Sequence, residues 1–202
     1  MTIQQDYIVG YGSLLSHDSR LRFSDLDISP IHVTVAGWHR SWSVRCEFEL
    51  QTYVGVEQDD NSKLNAVLIP TDEITPALIE REKNYQFVQL CPSALSSADS
   101  GAKIPENAKF WICQPKHRRP ADKDYPVNQS YVDTCLIGCI ESGDDQLALE
   151  FIRSTSGWRH RWHNDRHDSK YPRAARITEA QIKQIDALIA RSGMLHHRRD
   201  KS

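Results

Sequence analysis

The sequence predicts an α+β domain in which the strands come first and the helices follow. Short apolar or alternating runs, typical of strands, fill the first half of the chain, whereas helical spacing of apolar residues begins near Ser130. This order favours strands that close into a barrel. With 202 residues, the chain can bury an ordinary core without a metal or a disulfide.

The strand predictions depend on alternation and on turn residues. A short apolar run covers residues 7–11 and ends at Gly12-Ser13. The other predicted strands are residues 31–35, 42–46, 50–56, 64–69, 85–90 and 109–113. The polar stretch 57–62 predicts a hairpin loop between two of them, and 92–107 predicts an exposed connection.

The helix predictions depend on caps and on a period of 3.6 residues. Thr75-Pro76 is typical of a helix start, and later apolar positions predict helices near 132–140 and 147–152. Thr178 and Gln181 form a capping box for a last helix. We therefore expect a single domain over residues 1–202, with a core of about 7–143, a helical extension of about 144–193 and a frayed tail at 194–202.

Charge and cysteine content exclude several classes of protein. The chain has 25 Lys and Arg against 27 Asp and Glu, which argues against a protein built mainly to bind phosphate backbones or anionic membranes. Five cysteines without a C-x-x-C pair indicate reduced thiols. The sequence has no signal-peptide pattern and no apolar run of 18 residues, so we expect a cytoplasmic protein with no membrane partner.

Glu82 is the first candidate for chemistry. On a helical wheel it points within about 10° of the apolar pair Leu78/Ile79, whereas Glu80 points about 150° away. Burial disfavours a charged carboxylate and raises its pKa, which suits proton transfer near neutral pH. Two structural interpretations remain open: Glu82 pairs with an arginine such as Arg45, or it frays into solvent.

A second candidate is the turn formed by Tyr11, Gly12, Ser13 and Leu14. Consecutive backbone amides on a glycine-containing turn can hold a carboxylate or a developing oxyanion. The same residues are also typical of a plain turn after a strand.

Together these two segments resemble the γ-glutamylcyclotransferase superfamily. The pattern Y-I-V-G-Y-G-S-L-L at residues 7–15 is followed about 70 residues later by R-E-x-x-Y at Arg81, Glu82 and Tyr85. Gly37-Trp38-His39-Arg40 and Ser130-Tyr131 resemble further parts of the family pattern. The resemblance covers roughly residues 7–143, and it implies a small mixed β-barrel flanked by helices.

The resemblance implies an enzyme, a lyase or acyltransferase of γ-glutamyl amides as in glutathione metabolism. Such an enzyme releases 5-oxoproline and a free amine, because the substrate's own α-amino group attacks its γ-carbonyl. It implies that Glu82 moves the protons and that the other site residues bind substrate: Tyr11, Gly12, Ser13, Leu14, Arg45, Tyr85 and Tyr131. It implies no cofactor and no metal, a small γ-glutamyl substrate as partner, and a monomer or homodimer.

The sequence departs from the glutathione-specific members at Leu14-Leu15-Ser16-His17, where they carry an Ile-Trp-x-Pro-like sequence. Which γ-glutamyl substrate is used therefore stays open.

The extension offers competing sites. His160, His163 and His167 have a spacing that a helix could turn toward a metal, but interleaved arginines oppose a divalent cation. Residues 153–176 carry seven Lys or Arg, two Asp and two tryptophans, so a non-catalytic module that contacts RNA or protein through Arg159 and Arg161 is the alternative function. A solvated basic face, or a cap that brings one arginine to an anionic substrate, explains the same residues and is favoured over a nucleic-acid partner.

A Cys–His hydrolase is the other enzymatic alternative. Cys46 and Cys91 lie on or beside predicted strands, not at a helix N-terminus where a thiolate would be stabilised, which favours inert thiols.

Overall fold

The computed structural model describes residues 5–24, 29–71, 79–80, 82–98, 102–141 and 145–200. Its strands are β1 (Gln5–Gly10), β2 (Ile31–Cys46), β3 (Gln51–Thr71), β4 (Tyr85–Leu90), β5 (Leu95–Ser97), β6 (Ala108–Pro115), β7 (Val127–Asn128), β8 (Thr155–Ser156), β9 (Trp162–Asn164) and β10 (Arg198–Asp200). Its helices are α1 (His17–Ser24), α2 (Gln129–Ile140), α3 (Asp145–Ser154) and α4 (Glu179–Arg191). The predicted α+β class is confirmed.

The main sheet is mixed and open. Among the described residues it has seven strands, in the order β4-β6-β1-β3-β2-β5, with β8 paired to β2. The pairing of β1 with β6 is parallel, whereas β1 with β3 and β2 with β3 are antiparallel. The path ends at β4 on one side and β5 on the other, so the predicted closure into a barrel is wrong.

β2 and β3 correct the hairpin predicted at residues 57–62. The two runs on either side of these residues belong to one strand, β3, and both pair with β2 instead of with each other. The register shifts between Ala36 and Trp38, whose partners are Lys63 and Gln58, so residues 59–62 form an irregularity within β3. Local sequence could not reveal this, because a bulge and a short loop contain the same polar residues.

α2 is buried around nearly its whole circumference. Residues 129–139 are all buried, although the spacing predicted a single inward face. The helix contacts a 3-10 turn at Ser13–Leu15, as well as α3, α4 and β9, so it forms the centre of the helical layer. Gly138 permits the closest of these contacts, since a Cβ atom there would lie 2.2 Å from the carbonyl carbon of Leu15.

The extension is part of the core. Trp158 and Trp162 are buried, and the Trp158 ring meets the Trp42 ring of β2 at 5.0 Å between centroids. The predicted capping box of α4 is present, with both Thr178 and Gln181 engaged. Arg198–Asp200 pairs with β9, so this part of the tail is a strand and not the frayed end that was predicted.

The helix predicted from Thr75-Pro76 falls largely outside the described residues, as does Arg81. Ile79 and Glu80 are helical, and residues 82–84 form a turn that leads into β4. No helix in the described part of the chain is long and apolar enough to cross a membrane.

Candidate active site

A cavity of about 300 Å³ lies at the end of β1. It brings together most of the site residues predicted from sequence: Tyr11, Gly12, Ser13, Leu14, Glu82, Tyr85 and Tyr131. The turn and the glutamate, which are about 70 residues apart in sequence, therefore line one space. This juxtaposition is what the proposed cyclisation chemistry requires.

The turn after β1 is a short 3-10 helix, Ser13–Leu15. Its backbone hydrogen bonds begin with the amide of Leu15, which donates to the Gly12 carbonyl at 2.9 Å, and continue with Ser16, which donates to Ser13. The amides of Gly12, Ser13 and Leu14 come before the first of these backbone hydrogen bonds in the chain. Gly12 is needed here, since a Cβ atom would lie 2.8 Å from the hydroxyl oxygen of Tyr131.

Two buried arginines hold the back of this turn. Arg40 is fully buried, and its Nη1 donates to the Tyr11 carbonyl at 2.8 Å. Arg20 is 2% exposed and donates to the carbonyls of Leu14 and Leu15, both at 2.7 Å. Because the turn's carbonyls are bound from behind, its orientation relative to the cavity is fixed.

Arg40 is itself held by β3 and by the start of the extension. Nη2 donates to the side-chain oxygen of Asn65 at 2.6 Å, Nε donates to Thr155 at 2.8 Å, and the guanidinium stacks on Phe151. Burial lowers the pKa of Arg40 to about 10, so it keeps its charge at neutral pH. Sequence analysis missed this residue, although it alternates in phase with the buried Trp38 and Trp42.

Glu82 is half-buried at the opposite wall. Its carbonyl accepts the Tyr85 amide at 2.8 Å, which fixes the turn before β4. Glu80, in contrast, is exposed and pairs with Lys83 at 3.0 Å, as its outward direction on the helical wheel predicted. Arg45 is not the partner of Glu82, since its guanidinium pairs with Asp122 at 2.8 Å.

Arg45 is the one predicted site residue that does not line this cavity. Its side chain also donates to the Pro120 carbonyl and lines a second cavity nearby. Alternation along β2 had already placed Arg45 opposite Trp42 and Cys46; only the family resemblance assigned it to the substrate.

The cavity tyrosines differ in what their hydroxyl groups do. Tyr11 donates to the Cys113 carbonyl, and Tyr85 donates to the Val54 carbonyl at 2.9 Å. Burial raises the pKa of both well above the ordinary value, and the nearby Glu82 carboxylate adds to the rise, so both stay neutral phenols. The Tyr53 hydroxyl is buried and has no hydrogen-bond partner within the described residues, and Tyr53 also lines the cavity.

Two further lining residues, Tyr171 and Arg173, come from the extension and were not predicted as site residues. The Tyr171 ring packs edge-on against Tyr131 and Tyr53, with centroid distances of 4.8 and 5.7 Å. Arg173 lies over Tyr171 and is 3.5 Å from Glu49. No local signal could find them, because they reach the cavity only through the tertiary fold.

A buried carboxylate brings this segment to the cavity. Asp165 accepts the Ser130 amide at 2.8 Å and its hydroxyl at 2.6 Å, and it also accepts the Lys170 amide at 2.8 Å. The Ser130 hydroxyl oxygen in turn accepts the Tyr171 amide at 3.1 Å. The start of α2 and the position of Tyr171 are therefore coupled through one network.

The alternative sites on the extension look different in the structure. Trp158 and Trp162 are buried, so they offer no stacking surface, and Arg166 bonds to Asp133 and Asp186 in the interior. His163 accepts a hydrogen bond from Arg161 at 2.6 Å. In the described part of the chain, no three His, Cys, Asp or Glu side chains are grouped to hold a metal.

No family model and no curated protein matches this sequence. Solved structures do match its fold. A γ-glutamyl cyclotransferase aligns with a TM-score of 0.57 and 10% identity, over 91% of this chain and 99% of that one. An uncharacterized Homo sapiens protein aligns with a TM-score of 0.55 and 11% identity, over 90% of this chain and 98% of its own length. YkqA from Bacillus subtilis aligns with a TM-score of 0.53 and 17% identity, over 74% of this chain and 53% of its own length.

These neighbours confirm the γ-glutamylcyclotransferase-like fold that the sequence resemblance implied. At 10 to 17% identity the likeness concerns the fold alone.

Proposed function

We propose that this protein is a γ-glutamylcyclotransferase that releases 5-oxoproline and a free amine from a γ-glutamyl amide. The observation that carries the proposal is the single cavity shared by Glu82 and the turn at Tyr11–Leu14. The fold is shared with a γ-glutamyl cyclotransferase, which supports the same assignment. The five free thiols fit a reducing compartment, so we place the reaction in the cytoplasm.

In the proposed reaction, the substrate's α-amino nitrogen forms a bond to its own γ-carbonyl carbon, and the bond from that carbon to the leaving nitrogen breaks. Attack within one held molecule supplies an effective molarity on the order of 10⁵–10⁸ M. The protein therefore needs no nucleophile of its own. It must fold the substrate, stabilise the oxyanion and move two protons, because the attacking nitrogen is an ammonium before the reaction and an amide N–H after it.

We assign the proton transfers to Glu82. Its carboxylate takes a proton from the α-ammonium group, which frees the lone pair for attack, and delivers it to the leaving nitrogen. It then removes the second proton, which the attacking nitrogen must lose to become an amide, and passes it to the departing amine, which leaves as an ammonium ion. The same group acts as base and then as acid, so the steps require no metal. The carboxylate is half-buried and lines the cavity beside Tyr85, so it lies next to the space that the substrate would fill.

We assign binding of the anionic groups of the substrate to the turn at Tyr11–Leu14. The amides at its start are oriented by Arg40 and Arg20 from behind, which suits an α-carboxylate or the tetrahedral oxyanion. Tyr53 is assigned a hydrogen bond to the glutamyl group, because its buried hydroxyl finds no acceptor in the described structure. Tyr11 has committed its own proton to Cys113, so it offers oxygen lone pairs to the substrate ammonium.

Replacing Glu82 by glutamine tests the proposal. Because Gln cannot carry the proton, we expect Glu82→Gln to lower 5-oxoproline release by about 10²–10⁴-fold. The measurement is chromatographic detection of 5-oxoproline from a panel of γ-glutamyl dipeptides and amines, with thermal unfolding to verify the fold.

Glu80→Gln is the matched control. Glu80 stands two residues away at the rim of the same cavity, but its side chain is 75% exposed and pairs with Lys83. We expect this variant to keep most of the turnover. Equal activity in both variants, or full activity in Glu82→Gln, would contradict the assignment.

A further inference from the structure

A second cavity, of about 340 Å³, adjoins the first one. Cys46, Phe48, Lys83 and Asn84 line both cavities. Lys83 and Asn84 directly follow Glu82, so the turn that carries the proposed acid is a shared wall. In the proposed function, the group attached to the leaving nitrogen lies next to this wall.

The second cavity is basic. Three members of the consecutive segment Lys116-His117-Arg118-Arg119 line it, the exception being Arg118, which pairs with Glu57 elsewhere. Arg45 and Lys83 also line it, and Glu47 is the one acidic residue among its described lining residues. The first cavity has the opposite balance, with Glu49, Glu80 and Glu82 against Lys83 and Arg173.

Two of these cations have no ionic partner among the described residues. Arg45 pairs with Asp122 and Lys83 with Glu80. Lys116 and Arg119 form no ion pair with any described residue, and the Lys116 ammonium instead donates to the Lys83 carbonyl at 2.9 Å. Both side chains therefore retain charge that a ligand can neutralise.

The segment that presents these cations is anchored through its backbone. The Lys116 amide donates to the Asn84 carbonyl at 3.0 Å, and the Arg119 amide donates to the Ser43 carbonyl at 2.8 Å. The Pro120 carbonyl accepts from the Arg45 guanidinium at 2.8 Å. The backbone that carries the two charges is therefore held beside the cavity before any anion binds.

From this arrangement we infer that the second cavity binds the leaving part of the substrate, and that this part carries at least two negative charges. The inference rests on the proposed function for the orientation of the substrate. Two unpaired cations match two carboxylates, such as the α-carboxylate and the side-chain carboxylate of an acidic residue. The substrate class is then a γ-glutamyl peptide whose next residue is acidic.

Binding to the Glu82→Gln protein tests this without turnover. The probes are γ-glutamyl-glutamate and γ-glutamyl-glutamine, which have nearly the same shape and differ by one negative charge. By isothermal titration calorimetry we expect the first to bind about tenfold more tightly at low salt, and the difference to shrink at high salt.

Further variants locate the effect. Adding Lys116→Gln or Arg119→Gln should reduce the preference, and adding both should remove it. Arg118→Gln is the matched control, because Arg118 is the neighbouring cation that points away from the cavity, and it should keep the full preference. All these side chains are exposed, so circular dichroism should show an unchanged fold.

Equal affinity for the two dipeptides would overturn the inference, as would a preference that survives the double substitution. Binding of neither dipeptide would overturn both the inference and the proposed function. Preferential binding without 5-oxoproline release from the wild-type protein would overturn only the proposed function. Release from both dipeptides with equal kcat/KM and equal binding would overturn only the acidic leaving group.

Discussion

The two walls of the first cavity are held in different ways. The turn wall, Tyr11–Leu15, is bound from behind by two buried arginines and contacts the backbone of α2 at Gly138. The glutamate wall, residues 79–85 without the undescribed Arg81, lies at the surface, with Ile79 53% exposed. Its described anchors are a few hydrogen bonds, such as that from the Lys116 amide to Asn84.

Because the two walls are anchored differently, substitutions on them should affect stability and activity to different extents. A change behind the turn wall should disturb the core together with the amides that we propose to bind the anion, whereas a change on the glutamate wall should affect the proposed proton transfer and leave the core intact. Substitutions on the two walls should therefore have different ratios of stability loss to activity loss. Three variants test that contrast.

The largest loss of stability is expected from Arg40→Met. The change leaves the Tyr11 carbonyl, the Asn65 side chain and Thr155 without their buried donor. Each unsatisfied buried group costs about 1–3 kcal/mol of the free energy of unfolding, so we expect a total loss of at least about 3 kcal/mol. Urea denaturation measures it. Arg40→Lys keeps the charge but not the fork of donors and should recover only part of the loss. A loss below about 1 kcal/mol for Arg40→Met would refute the role of this clamp.

A smaller loss is expected from Gly138→Ala. The new Cβ atom would lie 2.3 Å from the Ser16 nitrogen, so α2 and the turn wall must separate, at about 1–3 kcal/mol. Because the turn moves, KM for a γ-glutamyl substrate should rise in the same variant. Unchanged stability with unchanged KM would show that the close contact does not position the turn.

The smallest effect is expected on the glutamate wall, from Lys83→Gln. The Lys83–Glu80 pair is exposed on both sides, 59% and 75%, and such pairs contribute little. The free energy of unfolding should change by no more than about 0.5 kcal/mol. A loss comparable to that of Gly138→Ala would mean that this wall is as firmly fixed as the other one.

Local pattern was enough for the elements whose contacts are simple. The apolar run at residues 7–11 and the capping box at Thr178 both predicted elements that the structure contains, β1 and α4. Strand pairing, in contrast, could not be predicted from local sequence. The single long β3 depends on its register with β2, and Arg198–Asp200 becomes a strand only because β9 lies beside it.

The site residues also divide into those with a local sequence signal and those placed only by tertiary contacts. The glycine-serine turn was visible in sequence, and the family spacing joined it to Glu82. The helical wheel was not a valid guide to Glu82, because Glu82 lies in a turn and Ile79, which set the inward face, is 53% exposed. Arg40 carried an unused signal, since alternation put it on the inward face with Trp38 and Trp42. Tyr171 and Arg173 carried none, because their place at the cavity depends on a hydrogen-bond network made through the distant Asp165.

That network has a consequence for biosynthesis. The ribosome completes β1, the sheet and α2 well before residues 165–173 emerge, so the nascent chain first possesses a binding region with one side missing. Only when the Asp165 carboxylate docks on Ser130 does Tyr171 arrive to finish the enclosure. The cavity would then gain its last wall only at the end of synthesis, from residues that the chain adds after the sheet and α2.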